Sequence, residues 1–302
     1  MHLLFLCLVS ICFINITTGA DWCYESQVSC NRSCLGPEEW NEVAASCEGR
    51  VQSPINIVTR KTLLDERLVP FTFSGYEEAF RSLLKNNGHT VEVDLPHSAM
   101  VSGGSLESTY RAVQLHLHWG QNGGSGSEHT IDGEQYPMEL HIVHVKQEYS
   151  SLAEALEDPT GVAVLGFFFE TSKSANKKYE PIIRSLGNIK QSGSNASLNG
   201  LSLDMLIPAK EDMRTYYRYQ GSLTTPGCSE AVVWTLFQCT IPLSKEQLSA
   251  FSALRFSSGE PMIGTFRPVQ PLNGRRVYRS GSGAVLASTI APVISVLVSI
   301  GL

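Results

Sequence analysis

The apolar positions of this 302-residue chain fall mostly into short alternating or unbroken runs, the pattern of strands rather than of long helices. Val91 to Leu95 alternates apolar and acidic residues, as a half-buried strand does. Ala112 to Trp119 and Met138 to Lys146 read as further strands. Val162 to Phe169 reads as a strand buried on both faces, and Leu201 to Ile207 and Ala231 to Thr240 add two more. Helical signals are fewer. Ser244 and Gln247 form a capping box ahead of Leu248, Phe251 and Leu254. Tyr149 to Leu156 and Lys177 to Ile189 are two other helical stretches, the second opening near Pro181. The expected fold class is mainly β with peripheral short helices, in a single domain.

The two ends stand outside this pattern. Leu3 to Ile16 is almost wholly apolar and is followed by Thr18, Gly19 and Ala20, so residues 1–20 are expected to be a signal peptide cleaved after Ala20. Ser280-Gly281-Ser282-Gly283 precedes the uncharged segment Ala284 to Leu302. Small residues before an apolar tail predict exchange of that tail for a GPI anchor, which places the domain at residues 21–280 and the anchor-attachment region with its removed hydrophobic propeptide at 281–302. A retained transmembrane helix is the alternative.

The formal charge of −6 argues against nucleic acid as a partner. Cys7 and Cys12 would leave with the signal peptide. Cys23, Cys30, Cys34, Cys47, Cys228 and Cys239 remain, an even set that reads as disulfides in an exported chain, with the pairing left open. Asn31-Arg32-Ser33 and Asn195-Ala196-Ser197 are glycosylation sequons.

Candidate chemistry begins at Gln114-Leu115-His116-Leu117-His118-Trp119. Side chains at i and i+2 of a strand share a face, so His116 and His118 point the same way, about 6–7 Å apart. Such a pair alone is weak evidence for a metal. Glu139-Leu140-His141 on a second strand changes the picture, because His141 can complete a set of three imidazoles. Three neutral histidines leave one tetrahedral position of Zn²⁺ open, as catalytic rather than structural sites do. Gln114 and Glu139 each precede a histidine by two residues on its face and are suited to accept its other ring N–H. His144 falls on the opposite face and reads as structural, and His2 and His97 have no such context. A cupin would need a Glu soon after the pair, and a metallo-β-lactamase an Asp-His; neither is present.

Six runs then occur in a fixed order: Gln52-Ser53-Pro54-Ile55-Asn56-Ile57, Asn86-Asn87-Gly88-His89, Gln114 to Gly120, Ser127-Glu128-His129-Thr130, Glu139-Leu140-His141 and Gly221-Ser222-Leu223-Thr224-Thr225-Pro226. Together they resemble the alpha-class carbonic anhydrases over roughly Trp22 to Val277, and most of all the GPI-anchored extracellular form. The resemblance implies a central, twisted, largely antiparallel ten-stranded sheet. It implies His116, His118 and His141 as zinc ligands, with Gln114 and Glu139 behind them. Thr224 matches the residue that passes a hydrogen bond to a carboxylate, here Glu128. Thr224 and Thr225, with Val143, Val164, Leu223 and Trp234, match the substrate-binding wall, and His129 matches a buried structural histidine. Cys47–Cys228 and Cys23–Cys34 are the bridges it implies, with Cys30 and Cys239 left as departures that could pair with each other.

The implied reaction is reversible hydration of carbon dioxide to bicarbonate and a proton by zinc-bound hydroxide, with His89 as the proton shuttle, at the extracellular face of the plasma membrane. Carbon dioxide, water and bicarbonate would be the small-molecule partners, and bicarbonate or proton transporters the candidate protein partners. A metal-free, carbonic-anhydrase-like binding ectodomain and a zinc ester hydrolase are the rival readings. Glu92, three residues after His89, is expected to raise the His89 pKa if both side chains line the cleft.

Overall fold

The computed structural model describes residues 21–28 and 34–281. The signal segment, Cys30, the Asn31 sequon and the tail after Gly281 therefore lie outside the described residues. Seven strands form the middle of one sheet: β1 (Phe80–Asn86), β2 (Val91–Asp94), β3 (Tyr110–Trp119), β4 (Met138–Lys146), β5 (Val162–Ser172), β6 (Tyr216–Gly221) and β7 (Val232–Ser244). Their spatial order is β1-β2-β3-β4-β5-β7-β6, and Asn195–Leu201 adds to the β1 edge. Tyr278–Arg279 and then Leu63–Leu64 extend the β6 edge, and Phe71–Ser74 joins through Met100–Gly103 to the start of β3. The sheet thus has twelve strands rather than ten. It is largely antiparallel, with β5 and β7 running parallel at its centre.

The central strands are hydrophobic because both faces are covered. All nine residues of β4 are buried. One face packs on Leu115, Leu117, Leu140, Ile142, Phe167 and Phe237; the other carries Val143, Val164, Trp234 and the site. The capping box forms as expected and starts the helix Lys245–Ala250, an arrangement worth about 1 kcal/mol. The stretch Lys177 to Ile189 breaks into a 3₁₀ turn, the helix Glu180–Ser185 with Pro181 in its first turn, and a second 3₁₀ turn. Within Tyr149 to Leu156, only Leu152–Ala155 is helical, capped by Ser151.

Leu201 to Ile207 is not a strand. The strand Asn195–Leu201 ends there and Leu203–Leu206 forms a helical turn. Leu201, Ser202, Leu203, Leu206 and Ile207 are all buried, and the spacing of three and four from Leu203 to Leu206 and Ile207 fits the helical turn.

Cys23–Cys34 and Cys47–Cys228 are both bridged. Cys239 is unpaired among the described residues, and its suggested partner Cys30 lies outside them.

Candidate active site

The register of β3 against β4 sets His116 opposite His141 and His118 opposite Glu139. Paired residues in antiparallel strands share a face, so the three imidazoles and one carboxylate project together. The sequence placed His116 with His118; the pairing of strands adds His141.

Each imidazole commits its one N–H away from the cluster. His116 Nδ1–H donates to Gln114 Oε1 at 2.8 Å and His141 Nε2–H to Glu139 Oε1 at 2.6 Å. His118 Nδ1–H donates to the Thr265 carbonyl at 2.6 Å. This acceptor has no signature in the sequence, since any residue supplies a carbonyl. The three remaining nitrogens are bare lone pairs facing one another. His118 Nε2 lies 3.1 Å from His141 Nδ1, which lies 3.2 Å from His116 Nε2. No proton is available between them, and nitrogens bound tetrahedrally at 2.0–2.1 Å from one zinc ion would stand about 3.3 Å apart. The residues present fit Zn²⁺.

Burial is the main force that keeps these rings neutral. It holds His116 well below the ordinary imidazole value, pushes His118 down to about 3, and lowers His141; the neighbouring imidazoles add to the effect on the first two. Burial alone would push Glu139 up, but His129 and His141 outweigh it and hold its carboxyl well below the usual range. Glu139 is fully engaged, accepting also from the backbone N–H of Glu128 and of His129, each at 2.9 Å. His129 lies between Glu139 Oε1 and the Tyr219 hydroxyl, a buried bridge.

Glu128 is held by one oxygen only. Its Oε1 accepts from the Arg267 backbone N–H at 2.9 Å. Its Oε2 is buried, 3.4 Å from His118 Nε2, with no partner in hydrogen-bonding geometry. Burial and the Glu139 charge push this carboxyl well above its usual range, and Thr224 and Arg267 pull the other way. A cation at the imidazoles would reverse that balance. Arg267 is itself locked: its guanidinium donates to Gln52 Oε1 and to the carbonyls of Ser53 and Cys47.

Beside the histidines is a cavity of about 170 Å³, lined by Val143, Val164, Leu223 and Trp234, by Thr224 and Thr225, and by Leu152, which the sequence did not single out. Trp234 is fixed by donating from Nε1 to the Ser222 carbonyl at 3.0 Å.

His89 does not line this cavity. It stands in the turn before β2, its ring stacked on Trp22 at 4.0 Å with 11° between planes. Burial lowers its pKa, and the carboxylate that opposes this is Asp21. The expected action of Glu92 is thus replaced. Glu92 pairs with His116 across β2 and β3, and its charge meets Lys85, Asp94 and Asn87 instead.

Comparison with known proteins agrees with this geometry. Residues 35–281 match the eukaryotic-type carbonic anhydrase family. Carbonic anhydrase 4 of Oryctolagus cuniculus is 44% identical over 278 residues, covering 91% of this chain and 89% of that protein. Carbonic anhydrase 4 of Mus musculus is 40% identical over 299 residues, covering 97% and 95%. Carbonic anhydrase 7 of Homo sapiens is 38% identical over 253 residues, covering 81% and 94%. With three imidazole lone pairs converging beside an apolar cavity and a match over most of its length, the chain belongs to the eukaryotic-type carbonic anhydrases and is a carbonic anhydrase enzyme.

Proposed function

We propose that this enzyme hydrates carbon dioxide with Zn²⁺ held by His116, His118 and His141, at the outer surface of the cell membrane. The observation that carries the metal assignment is the set of three imidazole nitrogens that face one another with every ring N–H committed elsewhere. Zinc supplies a Lewis acid that makes water a usable nucleophile at neutral pH, and carbonic anhydrases are the standard example of that effect.

The chain's own residues do the rest. Val143, Val164, Leu223 and Trp234 offer an apolar wall that suits an uncharged, poorly hydrated substrate. Glu128 Oε2, unpartnered and buried, is the acceptor available to the Thr224 hydroxyl. A Thr224 that donates there can only accept from the attacking water, which turns a lone pair toward the substrate carbon. Thr225 and the Thr224 backbone N–H hold the bicarbonate product. The proton released passes to His89, an imidazole whose pKa burial lowers and Asp21 partly restores.

Two disulfides fit an oxidising compartment. No helix among the described residues is long and apolar enough to cross a membrane. The composition of residues 1–20 and 281–302 supports export followed by lipid anchoring.

Replacing His118 with Ala is expected to abolish stoichiometric zinc by metal analysis and nearly all stopped-flow CO₂ hydration. Full hydration with zinc still bound would refute the assignment. Phosphatidylinositol-specific phospholipase C is expected to release the protein from cells; retention after complete digestion would favour a membrane-spanning tail.

A further inference from the structure

The residues around His89 divide into two separately anchored pieces. Its own turn is fixed from below, because Asn86 Nδ2 donates to the carbonyls of Ile189 and Arg255 at 3.0 and 3.1 Å. The backbone N–H of His89 donates to Asn87 Oδ1 at 3.0 Å. The imidazole, in contrast, stacks on a single ring among the described residues, that of Trp22, and its Nδ1 is buried without a hydrogen-bond partner there.

Trp22 lies at the N-terminal end of a segment whose following residues are held in the fold, with Tyr24 buried against Trp40 and Phe256 and Ser26 Oγ donating to the Ile263 carbonyl at 2.6 Å. It precedes the helical turn Glu25–Val28 and pairs with Leu35 in an isolated bridge. Leu35 N–H donates to the Asp21 carbonyl and Cys23 N–H to the Leu35 carbonyl, both at 2.9 Å. Trp40 Nε1–H donates to the Cys23 carbonyl at 3.1 Å. The indole of Trp22 rests edge-on against Tyr24 at 5.3 Å and Trp40 at 5.2 Å. Among these ties, the one covalent link is the bond from Cys23, next to Trp22, to Cys34, next to Leu35.

We propose that the Cys23–Cys34 bridge is a positioning element for proton transfer: it fixes Trp22 as the platform that holds the His89 ring. The inference rests on His89 being the proton carrier. An indole face attracts an imidazolium as well as stacking on the neutral ring, so one platform serves both protonation states. Trp22 and the bridge are positioning groups, since neither touches substrate or metal ligands. Opening the bridge frees Trp22 to leave, and His89 then samples orientations in which it cannot collect the proton.

The test uses the full-length zinc enzyme and the variants H89A, W22A, W22F and C23S/C34S. CO₂ hydration is measured in weak and in concentrated imidazole buffer. In weak buffer, kcat depends on proton export through the shuttle, whereas kcat/KM reports the earlier conversion of carbon dioxide. H89A, W22A and C23S/C34S are each expected to lose kcat several-fold in weak buffer, to keep kcat/KM, and to recover in concentrated imidazole. W22F is expected to restore most of the loss, because it keeps a flat ring. A wild-type or raised kcat in W22A and C23S/C34S, with H89A slowed, overturns the platform alone. A wild-type kcat in H89A overturns the shuttle reading and the platform with it. Loss of kcat and kcat/KM together in C23S/C34S makes the bridge a folding element and overturns its positioning role.

Discussion

At the scale of the residue, an imidazole's role here follows from where its nitrogens are spent. His129 uses both, on Glu139 and Tyr219. His144 also uses both: the Tyr76 hydroxyl donates to Nε2 at 2.6 Å and Nδ1–H donates to the Ala163 carbonyl at 3.3 Å. Among the described histidines, only His116, His118 and His141 turn a free lone pair toward one another. Burial pushes His144 from the ordinary 6.5 down to about 4, which makes it a pH liability. Its folded value is depressed, so above 6.5 it has no effect. Between 6.5 and 4 the unfolded chain takes up a proton that the folded chain refuses, and stability falls as pH falls. The full effect is on the order of 3 kcal/mol. Urea unfolding at pH 7 and pH 5 is expected to show a smaller loss in H144Q than in the wild type; equal losses would clear this residue. The inward three were legible because a period of two fixes the face of a strand. The Thr265 carbonyl behind His118 was not, because backbone chemistry leaves no mark in residue identity.

Among the elements, the connection between β3 and β4 carries the most constrained backbone. Gly126 lies where the chain crosses itself on the way to Glu128. A Cβ there would stand 1.8 Å from Gly120 N, 2.2 Å from Trp119 C and 2.6 Å from Pro137 O, all backbone atoms with no side chain to swing aside. G126A is expected to cost about 3 kcal/mol or more in urea unfolding, with activity falling as Glu128 shifts. G187A is the control, since its Cβ would meet nothing within 4 Å; comparable losses in both would remove the crossing as the cause. Long elements such as β3, β4 and β5 could be read in advance, because each repeats its pattern several times. The two-residue strands Leu63–Leu64 and Tyr278–Arg279 could not, being too short to repeat any pattern. Leu201 to Ile207 reads as a strand from its alternation, whereas Leu203–Leu206 closes a helical turn with Leu203 and Leu206 buried.

Across the whole molecule, the site draws on segments far apart in sequence. The three clustered imidazoles come from β3 and β4, but the groups that steady Glu128 and His118 arrive with Thr265 and Arg267. Arg267 reaches back to Cys47, whose bridge to Cys228 spans 181 residues. Closing so long a loop in the unfolded chain is worth on the order of 5 kcal/mol in the chain-entropy description. The sequence announced the three histidines and, through its resemblance to a family, the bridge; nothing in it shows that Arg267 joins the two.

This distribution has a bearing on how the protein is made. Synthesis runs from the N-terminus, so a growing chain holds His116, His118 and His141 long before it holds residues 265–267. Cys47 must also wait for Cys228, 181 residues further along, before its bridge can close. A nascent chain halted before residue 265 can gather the imidazoles, yet it has neither the acceptor for His118 nor the donor for Glu128. The hydrogen-bond frame of the site is therefore complete only once residues 265–267 have been added.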